Sequence, residues 1–166
     1  VATGVCSKLK TVGINYDVID GDHIRSTKHR SLDFTERGIK KNNDLIVDLC
    51  AEKRLVSDVV LVSIISPFRS SRFLARARLS PGFYEIFVRA SLDCVRSRDT
   101  KGLYTKESDK QLTNLIGVSP ETPYEPPLEP DLLIDTEIES ESESISALWD
   151  FSQKLFRQNS NVQLIF

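Results

Sequence analysis

The stretch VVLVSIISPFR (Val59–Arg69) decides the fold. Seven residues, Val59 to Ile65, are apolar but for Ser63 and rich in β-branched side chains. A strand with one wet face alternates. A continuous apolar run of this length suits a strand covered on both faces, as in a parallel sheet wrapped by helices. Pro67 then turns the chain, and RSSRFLARARL (Arg69–Leu79) reads as a basic amphipathic helix. Strand, charged turn and helix together form the repeating unit of α/β proteins.

The same rhythm extends both ways. Upstream, YDVID (Tyr16–Asp20) is a short strand ending on charge, and FTERGIKKNNDLIVDLCAEKRL holds a helix whose Ile39, Leu45, Ile46, Leu49 and Cys50 share a face. Gly38 and the Asn42–Asn43 pair weaken its first turns. Val1 to Lys10 has helical spacing but no capping residue before it, and Gly13 is a plausible stop. Downstream come a strand, FYEIFVRA, and a short helix, SLDCVRSRD, capped by Ser91. Residues 101–130 are polar and broken by Gly102, Gly117 and prolines, so a long excursion or lid is expected over about 99–130. DLLIDT (Asp131–Thr136) reads as the last strand, EIESESES as a solvated acidic linker, and ISALWDFSQKLF as a closing helix at about 145–157. The expectation is one domain over residues 1–166: a three-layer α/β fold with right-handed crossovers, and ligands outside the carboxyl ends of the strands.

Composition sets few limits. Hydrophobic residues are 40% and charged residues 28% of 166, and the formal net charge of −2 gives no general pull toward nucleic acid or anionic membrane. Cys6, Cys50 and Cys94 are widely spaced in apolar segments and read as reduced thiols of a cytoplasmic protein. No apolar run approaches the roughly 20 residues of a membrane span. His23 and His29 have no metal-ligand company.

Three clusters follow the strands. In DGDHIR (Asp20–Arg25), Gly21 lets the chain turn between two carboxylates. One could orient a water on Mg²⁺, the other could hold or deprotonate a hydroxyl, and Arg25 could bind an anion. A plain turn with a surface ion pair explains the same residues. In ISPFRSSR, Arg69 and Arg72 at the start of a helix suit phosphate or sulfate, with Arg76 and Arg78 extending the charge. A solvated helix face is the alternative, and no aromatic platform interleaves the arginines as nucleic-acid binding would need. In RSRDTKGLYTK, Arg96, Arg98, Lys101 and Lys106 surround Gly102 and form either a mobile basic lid over ATP or a surface loop.

In order, these stretches resemble the adenylylsulfate kinases, small nucleoside-phosphate kinases of the P-loop type, from Val1 to about Thr136. DGDHIR resembles the family's DGDN(V/I)R, and LDFT with Asn42 its LGFS and later Asn. ISPFRSSR is similar to ISPYRxxR, RDTKGLY to RDPKGLY, and GVSPETPYEPP to its Pro-Tyr-Glu segment. The resemblance implies transfer of the γ-phosphoryl of ATP to the ribose 3′-hydroxyl of adenylylsulfate. It implies Asp20 on a magnesium-bound water, Asp22 at the hydroxyl, Arg25 and Asn42 on the acceptor nucleotide, and Phe34 stacked on its adenine. Ser66, Arg69 and Arg72 would line the acceptor site, with Leu115 at the position of a second stacking aromatic. Arg98 would lie against the ATP base, and Lys101, Gly102 and Lys106 would belong to the lid. A homodimer, or a fused or associated sulfate adenylyltransferase, is the implied partner, with no nucleic acid and no membrane.

The departures matter as much. No G-x-x-x-x-G-K-S/T stretch is present. In the family that loop precedes the helix matching VATGVCSKL, and its strand lies centrally, between those matching VVLVSII and FYEIF. The expectation is therefore a piece truncated at its amino end, with unpaired strand edges facing a gap in the sheet and no ATP turnover unaided. The family's acceptor-side arginine is Ile39 here, with Lys40 or Arg37 as imperfect substitutes. Two basic lid positions are Ser108 and Thr113, and a tyrosine is Phe68. These changes leave open a kinase with another nucleotide-derived acceptor, or a non-catalytic nucleotide-binding regulatory domain.

Overall fold

The protein is represented by a computed structural model, which describes residues 1–99, 102, 104, 115–158 and 162–165. Among these residues there are six helices and five strands: α1 (Ala2–Thr11), β1 (Tyr16–Asp20), α2 (Gly21–Thr27), α3 (Glu36–Lys53), β2 (Val59–Ser63), α4 (Arg69–Leu79), β3 (Phe83–Arg89), α5 (Leu92–Arg98), β4 (Leu132–Asp135), α6 (Glu141–Gln158) and β5 (Val162–Ile165). All strands pair in parallel, in the order β1-β2-β5-β3-β4.

Strand β2 shows why the sheet is internal. Val59 through Val62 are all fully buried. Val60 and Val62 pack with Ile46 and Cys50 of α3 and Ala75 and Leu79 of α4. Val59 and Leu61 pack on the opposite face with Val5 and Leu9 of α1 and Leu148 and Leu155 of α6. The side-chain alternation of one strand thus feeds two hydrophobic layers, so neither face of β2 has room for a polar residue.

Three expectations need correction. The sheet has no gap between β2 and β3. Residues 162–165 fill it, with Val59 opposite Val162 and Phe83 opposite Gln163. DLLIDT is therefore not the last strand. The backbone groups of both facing edges find ladder partners in β5, which is how a buried edge must be resolved. Second, Asp20-Gly21-Asp22 is not a turn but the start of α2. Third, the acidic serine-glutamate run is a linker only in its first half: Glu137–Ser140 joins β4 to α6, and Glu141–Ser144 forms the helix's first turn. There Ser140 Oγ accepts from the Glu143 N–H (3.3 Å) while the Ser140 N–H donates to the Glu143 carboxylate (2.8 Å). This reciprocal capping box, with glutamates near the positive helix end, offsets the weaker helix propensity of the run's serines.

Gly38 and the Asn42–Asn43 pair do not fray α3. All three are buried, and Thr35 caps the helix by accepting the Gly38 N–H at 3.1 Å. No described helix is long and apolar enough to cross a membrane.

Candidate functional site

The carboxyl ends of β1 and β2 lie side by side, with Asp20 opposite Ser63. Asp20 closes β1 in extended conformation, and its Oδ1 accepts the His23 N–H at 2.9 Å, which makes it the N-cap of α2. Gly21 is required there by space. A Cβ would sit 2.8 Å from Ile64 Cγ2 and 3.2 Å from the Ser63 carbonyl. Asp20 is thereby held against the end of β2.

Arg25 projects from α2 to the loop before α3. One guanidinium nitrogen donates to the carbonyls of Leu32 and Asp33, both at 3.1 Å. Its central carbon lies 4.4 Å over the Phe34 ring. Burial pulls the Arg25 pKa down, while Asp33 and Asp22 push it back up. Phe34 is 46% exposed, so an aromatic ring with one cationic neighbour remains open to solvent. The loop is tied down by Asp33, whose Oδ1 accepts from the Thr35 hydroxyl (2.6 Å) and the Thr35 N–H (3.1 Å). Those two bonds hold the Asp33 carboxyl below its usual pKa.

The buried face of α3 brings two asparagines to the same corner. Asn42 Oδ1 lies 2.9 Å from His29 Nδ1, and both side chains are buried. Asn43 donates its amide to Ser66 Oγ at 2.9 Å. Ile39, in contrast, is 1% exposed and sits in the core, so it offers nothing to a ligand. Lys40 lies 5.2 Å over the Phe68 ring and pairs with Glu36 at 2.5 Å. A depression of about 830 Å³ runs along the outer side of α3, lined by Leu32, Thr35, Arg37, Lys40, Lys41 and Asp44 among others.

The arginines of ISPFRSSR are engaged differently from a simple anion cradle. The Arg72 side chain is buried, and its guanidinium donates to the carbonyls of Ser66 and Glu125, each at 2.6 Å, with Nε 2.6 Å from Glu85 Oε1. Arg69 donates through Nε to the Pro126 carbonyl at 2.8 Å, and its backbone N–H donates to Glu125 Oε2 at 2.7 Å. Glu125 thus caps α4, and Tyr124 stacks on Phe87 at 5.9 Å. The Pro-Tyr-Glu segment is a strap that the two arginines fasten across the end of β2. Arg98 is used similarly: it donates to the Thr136 hydroxyl (3.0 Å) and carbonyl (2.5 Å). The Gly102 N–H returns to the Asp99 carbonyl at 2.9 Å, and Leu115 is half-buried. Lys101, Lys106, Ser108 and Thr113 lie outside the described residues.

The structure therefore gathers Asp20, Asp22, Arg25, Phe34, Asn42 and Ser66 around the ends of β1 and β2. Asn43, His29, Glu85 and Glu125 support that corner, directly or through Arg72, and the sequence assigned none of them a role there. The only signal for Glu125 was its place in the Pro-Tyr-Glu motif.

A parallel sheet between two helical layers, with Asp20, Asp22 and Arg25 just beyond the end of one strand, is an architecture shared with the small nucleoside-phosphate kinases. Within it, the chain belongs to the adenylylsulphate kinase family, whose sequence pattern matches residues 1–135. It is 38% identical over 130 residues to the bifunctional enzyme CysN/CysC of Xylella fastidiosa, covering 76% of this chain but 20% of that protein. It is 35% identical over 127 residues to the adenylyl-sulfate kinase of a Synechococcus strain, covering 76% of this chain and 70% of that one. The chain thus spans about a fifth of the bifunctional relative and most of the single-function one. Among solved structures it resembles the Mycobacterium tuberculosis APS kinase CysC in complex with AMPPNP and APS. The TM-score is 0.83 and the identity 30%, covering 92% of this chain and 88% of that one.

Proposed function

We propose that this domain binds adenylylsulfate at the Arg25–Phe34 corner and serves transfer of the ATP γ-phosphoryl group to its 3′-hydroxyl, giving 3′-phosphoadenylylsulfate. The observation that carries this reading is the open Phe34 ring with Arg25 stacked on it, beside Asp20 and Asp22. An adenine would pack on the free face of Phe34, where stacking and a nearby cation both favour a flat, electron-rich base.

In this reading Asp22 holds the acceptor hydroxyl in line and takes its proton, and Asn42, fixed by His29, orients the nucleotide. Such reactions depend on positioning and charge stabilisation more than on covalent chemistry. Magnesium fits the donor set. The ion retains most of its waters and needs only one or two carboxylates besides the phosphates, and Asp20 would hold one such water. Bound there, Mg²⁺ would neutralise charge on the phosphate oxygens. Arg98, Gly102 and the lid basic residues Lys101 and Lys106 would face ATP, and Leu115 would pack on the acceptor base. Arg69 and Arg72 act on the acceptor site through the strap and the Ser66 carbonyl they hold. The fused CysN/CysC relative supports a sulfate-adenylating partner.

One observation favours a second reading. With Ile39 in the core, the α3 cations left beside the acceptor corner are Arg37, which acts on Asp33, and Lys40, over Phe68, and a different nucleotide derivative would suit them. The deciding experiment measures ADP release by the full-length protein with adenylylsulfate and with other adenine nucleotides. The first reading expects a response to adenylylsulfate that falls about a hundredfold or more in Asp22→Asn. No response to adenylylsulfate removes it.

A further inference from the structure

Asn43 stands in the structure for a reason that packing does not supply. It is 4% exposed in a helix face shared with Ile39, Asn42, Ile46, Val47 and Cys50, and its Oδ1 is buried with no partner among the described residues. A buried amide with an orphaned oxygen is a cost that an aliphatic side chain would avoid. What it gains is one bond: Nδ2 donates to Ser66 Oγ at 2.9 Å. The backbone of the same serine is held separately, since Arg72 donates to the Ser66 carbonyl at 2.6 Å. Ser66 is half-buried, three residues beyond the Ser63 that pairs with Asp20. A serine that only turned the chain would need neither tether.

The polarity of the bond is informative. An amide N–H gives a proton and cannot accept one, so the hydroxyl hydrogen of Ser66 must point away from Asn43. No described residue accepts it. The hydroxyl is left as a donor fixed in direction. We propose that Asn43 is a positioning residue that presents the Ser66 hydroxyl as an oriented donor to an anionic oxygen of the acceptor nucleotide, its sulfate or phosphate. This rests on the reading above that the corner takes adenylylsulfate.

The test titrates the full-length protein calorimetrically with adenylylsulfate and with adenosine, which lacks the anionic group. Ser66→Ala is expected to weaken adenylylsulfate roughly tenfold and leave adenosine unchanged. Asn43→Asp, whose ionised carboxylate can only accept, turns the serine proton inward and should weaken adenylylsulfate at least as much, again sparing adenosine. Combining Asn43→Asp with Ser66→Ala should weaken binding no further than Ser66→Ala alone. A merely structural Asn43 would lower the melting temperature and weaken both ligands alike, and that result overturns the proposal. So does native-like adenylylsulfate binding by Ser66→Ala, a readout that stands even where Asn43 variants fail to fold. Binding of neither ligand by the native protein overturns the adenylylsulfate reading and this inference together. Binding with no Ser66 effect overturns only the latter.

Discussion

Replacing Gly38 with alanine sets two rules of helix energetics against each other. Inside a helix, alanine is favoured over glycine by about 1 kcal/mol. At this position the added Cβ would lie 2.1 Å from Asp33 Oδ1 and 2.5 Å from the Asp33 carbonyl oxygen. Neither is the loose end of a long side chain. The carboxylate is pinned by Thr35, and the carbonyl receives Arg25. Relieving such overlap costs about 1–3 kcal/mol, and displacing Asp33 from Thr35 weakens the α3 cap by about 1 kcal/mol more. Subtracting the propensity gain leaves a net loss of about 1–3 kcal/mol. In a domain of this size 1 kcal/mol shifts the melting temperature by roughly 2–4 °C. Gly38→Ala should therefore melt about 2–12 °C lower, read by far-ultraviolet circular dichroism. It should also bind adenine nucleotides more weakly, because Asp33 and Phe34 move together. A melting temperature equal to or above the native value would refute the close approach and, with it, the account of how the Arg25–Phe34 corner is fixed.

Other outcomes follow from the same geometry. Burial pushes the Cys50 thiol up to about 12. It should resist iodoacetamide at pH 8 while the partly exposed Cys94 reacts, and become labelled only under denaturing conditions, as followed by mass spectrometry. The Lys53 ammonium and the Ser57 hydroxyl hold the Asp17 carboxyl below its usual pKa, Lys53 being the larger influence. The stability Asp17 contributes is thus full above about pH 4 and lost as pH falls through its depressed folded value. Asp17→Asn should cost less than about 1 kcal/mol at pH 7 and flatten the acid limb of a urea-midpoint profile. An unchanged limb would exclude the pair as a contributor. Gly21→Ala would press on Ile64 and the Ser63 carbonyl, tilting Asp20 and Asp22 together. Turnover by the full-length protein should fall about tenfold to a hundredfold, with a much smaller change in melting temperature.

The elements most legible in the sequence were those fixed by their own composition. Val59–Val62 could only be a doubly covered strand, and Ser91 was readable as a cap because its target amide lies three residues away. The start of α2 was not, because Asp-Gly is as good a turn as it is a helix entry. The neighbouring Ile64, which forbids a side chain at Gly21, lies far along the sequence. The placement of 162–165 was also hidden. Four residues carry too little pattern, and their slot exists only once β2 and β3 stand apart. Motif order brought Asp20, Asp22, Arg25, Phe34 and Ser66 to one corner. It did not reveal that Arg72 is consumed by Glu85 and two carbonyls, since Glu85 and Glu125 come from other segments of the chain. The role of Asn43 stayed hidden for a related reason: its worth lies in one bond to Ser66, in the loop after β2 and 23 residues away.

The seat of β5 has a consequence for how the molecule breathes. Strands β1 and β2 form one ladder and β3 and β4 another, and the described backbone bonds joining the two pass through Val162–Ile165. Were those four residues to leave, two separate half-sheets would remain, joined by helices but by no shared ladder. The free energy of that single opening then sets a ceiling on amide-exchange protection along the inner edges of both halves, however well each is packed. Asp20 and Ser66 belong to one half, and Arg98 and Thr136 to the other. The acceptor corner and the face proposed for ATP are thus joined across the sheet by the ladder of those four residues.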